Sequence, residues 1–470
     1  MAVEDWFYPY LKYYQKLPPS LMRFIGGVYR KIPLGLRYGN VFESYYSMIV
    51  HSQYWDTRQR REYVRRRLAE TLGNAYRNSE YFKESFTAAH LNPTDFEDAD
   101  VIRRIPFIDK DILRGRKQQI LNRNIGRNQL LYTTTGGTSG VPVEVYLLKG
   151  VERARELAFM TRQWERVGYR FGDKLAVLRG TVVNNKAGNS WYKYEPIKNR
   201  LLLSNFDLNE NTLPKYIDKI VQFGPKFIHS YPSAISVIAK YLVKQSVRIR
   251  GVAAVFCSSE QFYPGQRELI EQAFNARVYS WYGHTEAGTL AGECEYSSDY
   301  HVFFEYGLTE LVDPRGEVIT EPGVQGEIVT TSFEMSAFPI IRYRTGDYAE
   351  YSPNKCKCGR TYSLIRNVKG RWLQEFIIGN DDTKISLTAL NMHNDVFRNI
   401  LQYQFYQKDR GKVTLRVVPA QSFTNQDRRN ILGTFQDKFR DKVHLAIEVV
   451  PCMPTTSVGK HKFLIQEIEE

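Results

Sequence analysis

Cysteine is scarce in this 470-residue chain, with five in all. An odd handful spread over such a length builds no disulfide framework, which points to a reducing compartment. Long apolar runs are missing too. No stretch approaches the 18 or so residues a membrane-spanning helix needs, and MAVEDWFYPY has two early acids where a secretory leader has a basic then an apolar region. Both absences predict a cytoplasmic protein that does not span the bilayer. No internal repeat or low-complexity tract is visible. With 43% apolar and 25% charged residues, disordered and fibrous classes are excluded. Acids are the minority charge, 51 against 65 Lys and Arg, a net +14 that predicts an anionic partner: nucleotide, nucleic acid or acidic lipid.

That excess is uneven. Residues 1–70 hold twelve Lys or Arg against six acids, interleaved with aromatics. Residues 1–60 read as a basic, aromatic extension packed on the core or on a membrane surface, with 1–40 the segment for peripheral membrane contact. Residues 56–85 read as one charged helix. From about 128 to 350, β-rich runs (LLYTTT, KLAVLRG, KFIHSY, VAAVFCSS, RVYSWYG) alternate with helical stretches, the pattern of a parallel sheet covered by helices. Residues 300–350, with PRG and EPG turns, read as antiparallel hairpins or a small barrel-like part. After Gly370 the pattern restarts, with strands near 375–378, 402–407, 413–418 and 446–450 and helices near 387–400 and 425–442. The fold class is therefore α/β: a large core of layered sheets over 61–369 with a small barrel-like part, and a small, mobile α+β domain over 370–470.

Four segments carry chemistry. Thr135-Gly136-Gly137-Thr138-Ser139-Gly140 follows a strand and offers glycines and hydroxyls to an anion, yet lacks the Walker A lysine. Tyr282-Gly283-His284-Thr285-Glu286 follows another strand, PIIRYRTGD ends at Asp347, and PTTSVGK ends at Lys460. In this order they resemble the adenylate-forming superfamily of acyl-CoA synthetases, and PIIRYRTGD followed by CKCGR and a Gly-Arg is most similar to the phenylacetate–coenzyme A ligase branch and its capsular-polysaccharide relatives. The resemblance covers residues 60–470.

It implies that Thr135, Gly137, Thr138, Ser139 and Gly140 hold the phosphates of ATP. Glu286 holds magnesium, Thr285 touches the α phosphate, Tyr282 and Gly283 flank the adenine with Ser259, Glu260 and Gln261, and Asp347 accepts the ribose hydroxyls. Arg371 contacts the nucleotide, and Lys460 bridges the carboxylate and the α phosphate. It implies an AMP-forming ligase that turns a carboxylic acid, free or sugar-linked, into an acyl-adenylate and passes it to coenzyme A or another thiol, amine or hydroxyl, with a role in cell-surface polysaccharide synthesis. Nucleic acid is not an expected partner. The alternative is a non-enzymatic binder of anionic surfaces or nucleic acid on the same scaffold.

Cys294, His301, Cys356 and Cys358 form Cys-x6-His and Cys-x-Cys groups, a donor set suited to structural zinc, against the alternative of three unlinked thiols and a surface histidine. His284 is read as lining the carboxylate pocket or as a packed neutral ring. The family's Gly-Arg-x-Asp run is here Gly370-Arg371-Trp372-Leu373, with leucine in place of the pivot acid, so adenylation is better supported than transfer to coenzyme A.

Overall fold

The structure is a computed structural model describing residues 11–14, 17–134, 143–179, 191–205, 208, 210–262, 265–370, 376–381, 383–386, 397, 399–439, 441–453 and 462–468. Along the chain, α1 (Pro19–Lys31), α2 (Leu34–Ser52), α3 (Thr57–Asn78) and α4 (Glu80–Ala88) lead to β1 (Leu130–Thr134), β2 (Glu144–Leu148) and α5 (Glu152–Glu165). There follow β3 (Leu175–Leu178), β4 (Tyr192–Glu195), β5 (Arg200–Leu203), α6 (Leu213–Phe223), β6 (Phe227–Ser230), α7 (Pro232–Lys244), β7 (Ala254–Ser258), α8 (Gln266–Phe274) and β8 (Arg277–Gly283). Then come β9 (Leu290–Gly292), β10 (Tyr300–Val302), β11 (Gly307–Val312), β12 (Gln325–Ser332), β13 (Tyr343–Tyr351) and β14 (Ser363–Lys369). The chain closes with β15 (Phe376–Ile378), β16 (Lys384–Ser386), β17 (Ile400–Asp409), β18 (Lys412–Pro419), α9 (Asn425–Phe439), β19 (His444–Val449) and β20 (Leu464–Gln466).

Two compact units emerge: residues 1–171 with 280–369, and residues 172–279 with 370–470. Within the first, the strands are antiparallel in the order β11-β12-β13-β14-β10-β9, and the end of β8 pairs with β9. The PRG and EPG turns thus make the antiparallel structure they predict. The long helix read over 56–85 divides at Ser79. There the backbone turns extended (φ −115°, ψ 124°) and the hydroxyl accepts from Phe82 N–H, starting α4 with its own cap. Asp56 and Gln59 form a capping box that starts α3, whose Tyr63, Leu68, Leu72 and Ala75 are buried in the core with Phe82, Phe86 and Phe96.

Within the second unit, β7, β6, β3 and β5 run parallel with β4 antiparallel at the edge, as the alternation predicts. Strands β3, β6 and β7 are buried along their whole length, so burial does not alternate along them as it does in a strand with one face in solvent. Its C-terminal part pairs β19-β18-β17-β20 over a core of Phe397, Phe405, Leu415, Phe435 and Phe439. The helix expected over 387–400 falls mostly outside the described residues.

One buried acid in the first unit has a stability consequence. Glu305 is fully buried; Ser52 and Tyr362 hydroxyls donate to its Oε1, while Oε2 has no partner. Burial raises its pKa to about 7, against which the Ser52 and Tyr362 hydrogen bonds and the Arg166 charge are too weak. A carboxyl with a raised folded pKa stabilises the fold fully below its unfolded value near 4.5 and loses that contribution as pH rises through about 7. Glu305→Gln is therefore expected to raise the melting temperature by a few degrees at pH 8 and to change it little at pH 5, roughly 2–3 kcal/mol being at stake. Thermal melts of both proteins at the two pH values check this, and an equal shift at both would contradict it.

Candidate active site

The first unit gathers Tyr282, His284, Glu286, Tyr343 and Asp347. Strand β8 delivers Tyr282 and Gly283, and the chain then turns, with Ala287 N–H donating to the His284 carbonyl at 3.0 Å. Ala287 sits in the left-handed region at φ 52°, an uphill conformation for a residue with a Cβ. Its carbonyl is clamped by Ser332 Oγ at 2.7 Å and by the buried Arg155 at 3.3 Å. Gly288 follows because a Cβ there would lie 2.3 Å from Thr330 Oγ1. The turn is thus pinned against β12, and Glu286 is held inside it.

Both oxygens of Glu286 are engaged. Tyr343 Oη donates to Oε1 at 2.7 Å, and His284 Nδ1 lies 3.2 Å from Oε2. His284 Nε2 accepts from Thr289 N–H at 3.2 Å, which leaves Nδ1 to carry the ring proton and donate to the carboxylate. Burial pushes the Glu286 carboxyl up, but His284 and Tyr343 outweigh it and hold the pKa at about 2. Glu286 is therefore ionised at any working pH. Each oxygen keeps a second lone pair, so an anionic, all-oxygen donor fits a hard divalent cation such as magnesium. His284, left between two readings by the sequence, is the residue that orients Glu286.

Asp347 comes from β13 through a bulge. Pairing jumps from Glu327↔Tyr348 to Val329↔Arg344, so residues 345–347 of β13 face the single residue Ile328 of β12. Gly346 makes this geometry at φ 74°, where a side chain would be strained, and its N–H donates to Glu327 Oε1 at 3.1 Å. Thr345 Oγ1 bonds the Ile328 carbonyl and takes the Asp347 N–H. The outcome is an Asp347 carboxylate that accepts from Tyr282 Oη at 2.8 Å through Oδ2. Burial and this carboxylate push the Tyr282 phenol well above 10, so it stays a donor. The two arginines of PIIRYRTGD are committed elsewhere: buried Arg342 pairs with Glu310 at 3.2 Å and Arg344 with Glu327 at 2.6 Å. Thr285 and Gly283 lie on the same turn and strand end.

In the second unit, Ser259, Glu260 and Gln261 leave the carboxyl end of β7, the edge of a parallel sheet where ligands bind in open α/β folds. Ser259 is left-handed at φ 69°, and its hydroxyl meets Arg179, at the end of β3. Arg179 Nη1 lies 2.8 Å from His229 Nε2, and its guanidinium lies over the Tyr231 ring. Burial, then the neighbouring Arg179 charge, keeps His229 neutral, well below 6.5. Glu260 Oε2 accepts from Ser233 N–H at the start of α7, and Gln261 Oε1 from Gly370 N–H. Sequence reasoning found the segments holding Arg179 and His229 without singling out either residue, because a lone His or Arg beside a strand has no local signature.

The cysteine set closes as its spacing predicts. Cys294 follows β9, His301 lies in β10 opposite Gly292 and Leu364, and Cys356 and Cys358 lie between β13 and β14. Cys294 Sγ is 3.4 Å from Cys356 Sγ, His301 Nε2 is 3.2 Å from Cys358 Sγ, and all four donor atoms lie within 4.8 Å of one another. Tetrahedral zinc with bonds of about 2.3 Å to sulfur sets ligand atoms roughly 3.8 Å apart, so the site fits that ion. Burial, then Arg166 and Arg360, lowers the His301 pKa to about 4, which leaves the ring neutral and able to ligate. Thr135, Gly137, Thr138, Ser139, Gly140, Arg371 and Lys460 lie outside the described residues.

Residues 377–467 match the family model of the CapK C-terminal domain. The chain is 24% identical to Protein CapK of Staphylococcus aureus over 421 residues, 87% of this chain and 89% of that protein. It is 25% identical to the phenylacetate-coenzyme A ligase of Escherichia coli (strain K12) over 316 residues, 65% of this chain and 69% of that enzyme. Among solved structures, 2-hydroxyisobutyryl-CoA ligase in the postadenylation state superposes with a TM-score of 0.65 at 18% identity, covering 88% of this chain and 93% of the other. Its thioesterification state, with 2-HIB-AMP and CoA, gives 0.55 at 19% identity, over 89% and 93% of the two chains. The chain is accordingly similar to Protein CapK and the phenylacetate-coenzyme A ligases, has the fold of the adenylate-forming ligases, and matches the CapK C-terminal domain over residues 377–467.

Proposed function

We propose that the chain is an ATP-dependent, AMP-forming ligase that activates a carboxylic acid as its acyl-adenylate and delivers the acyl group to coenzyme A or to another nucleophile in building a cell-surface polysaccharide. The observation that carries this reading is the constrained, ionised Glu286 beside the Tyr282–Asp347 pair. Relatives named as coenzyme A ligases support the ligase class. The polysaccharide role rests on the likeness to CapK.

In this reading the main barrier is electrostatic, since a carboxylate must approach a polyphosphate. Glu286 would hold magnesium, which offsets the phosphate charge when bound. His284 and Tyr343 fix both carboxylate oxygens in advance, so little reorganisation is needed when the nucleotide arrives. Asp347 would accept the ribose hydroxyls while Tyr282 holds its Oδ2 in place, and the Thr135–Gly140 loop, Arg371 and Lys460 would supply the donors to the phosphates. With Leu373 in the pivot position, the second half-reaction is the less supported step. Structural zinc at Cys294, His301, Cys356 and Cys358 would bind the β9–β10 and β13–β14 segments together.

The test is ATP–pyrophosphate exchange over a panel of carboxylic acids that includes uronic acids, amino acids and aromatic acids. Acid-dependent exchange with at least one of them is expected. Absence of exchange together with absence of ATP binding would overturn the reading.

A further inference from the structure

Helix α1 turns an apolar ridge outward. Leu21, Phe24 and Val28 are 42, 69 and 53% exposed. Spaced i, i+3 and i+7, they lie along one helix face, while Gly26 and Tyr29 on another face are buried. The helix is held in that orientation at its carboxyl end, where the buried Arg37 donates to the Arg30 and Ile32 carbonyls and its guanidinium lies over the Tyr29 and Phe171 rings. Leu36, 65% exposed just beyond, and Tyr13, 57% exposed just before, extend the apolar surface.

Charge says what such a surface fits. Residues 11–42 contain six Lys or Arg and no Asp or Glu. Arg23 and Lys31 are exposed on the flanks of the ridge. A protein partner of mixed charge gives no reason for a 32-residue stretch to exclude acids completely, whereas an anionic lipid surface does. Apolar side chains enter the acyl boundary while flanking cations meet the headgroups, and each signal alone binds weakly. Among the described residues no helix is long and apolar enough to cross a membrane.

We infer that α1 docks the protein in the plane of an anionic phospholipid membrane, with Leu21, Phe24 and Val28 inserted and Arg23 and Lys31 at the headgroups. This goes beyond the ligase reading and stands independently of it; it would place the acyl transfer at a membrane surface, within reach of a lipid-linked acceptor.

The test is sedimentation of the full chain with vesicles of phosphatidylcholine alone or with about 30% phosphatidylglycerol. Binding to the anionic vesicles is expected to be about tenfold tighter or more, to weaken as salt rises, and to fall about tenfold or more in Phe24→Ser/Val28→Ser. Arg23→Glu/Lys31→Glu alters only exposed residues and should remove the preference for phosphatidylglycerol, which keeps the test decisive if the first variant folds poorly. Equal binding to both vesicle types, or binding unchanged in both variants, would overturn the proposal. So would a wild-type dimer that the first variant dissociates, because a second copy would then cover the ridge.

Discussion

Glu286→Gln is expected to lower ATP–pyrophosphate exchange about 10²–10³-fold while leaving the fold in place. The substitution keeps shape and removes charge. His284 Nδ1–H can still donate to the amide oxygen, and the Tyr343 hydroxyl can rotate to accept from the new NH2, so each buried partner keeps a bond and the stability cost stays near 1 kcal/mol. What is lost is the anionic ligand for a divalent cation. The loss should show as a fall in maximal rate that added magnesium recovers only in part, with a melting temperature close to the parent. His284→Ala offers a second measurement. It removes the donor that orients Oε2, leaves the carboxylate charged, and should raise the magnesium concentration needed for half-maximal exchange more than it lowers the rate at saturation. Because the Glu286 pKa lies at about 2, activity lost on acidification between pH 7 and 5 does not come from protonation of this carboxyl. A Glu286→Gln protein with full exchange at ordinary magnesium would remove Glu286 from the chemistry and with it the main support for adenylation.

The parts of this architecture legible in the sequence are those with a local signature. The mostly apolar runs at β3 and β7 announce a buried parallel sheet because both faces are covered, and the PRG and EPG turns announce hairpins because turn chemistry is local. Tyr282, Glu286 and Asp347 were legible through the order of their motifs. Their partners were less so. Tyr343 sits within a recognisable segment, yet nothing in its neighbours says that its hydroxyl reaches a glutamate 57 positions earlier. His284 could be read two ways because tautomer and orientation depend on Thr289 and Glu286, both fixed by a turn whose strain is paid by contacts from β12 and α5. The break at Ser79 was hidden by helix-compatible charge on either side, since one serine that caps rather than continues a helix is a three-residue signal inside a thirty-residue pattern.

The cluster of Cys294, His301, Cys356 and Cys358 sets the other large effect. Purified protein is expected to carry about one zinc per chain, and Cys358→Ser to lose it with a fall in melting temperature of about 10 °C. Three thiolates beside one divalent ion leave a net negative charge, and the site is built to meet it. Tyr296 N–H reaches Cys294 Sγ at 3.3 Å, Cys358 N–H reaches Cys356 Sγ at 3.5 Å, and Arg360 sits two residues beyond Cys358 with its guanidinium held by Glu295 at 2.9 and 3.0 Å. Without an ion, burial disfavours ionising Cys294 and Cys356, whereas at Cys358 burial is outweighed by hydrogen bonds and the Arg360 charge, which favour the thiolate, so a divalent cation would supply the charge that three thiolates at this spacing need. Its loss should be felt at a distance. The cluster joins the hairpin that follows the Glu286 turn to the connection that follows the Asp347 strand, so Cys358→Ser should also raise the KM for ATP. Cys452→Ser, at an exposed position outside the cluster, should change neither zinc content nor melting temperature. Protein that contains no zinc and melts as before after Cys358→Ser would leave four packed side chains and no metal centre.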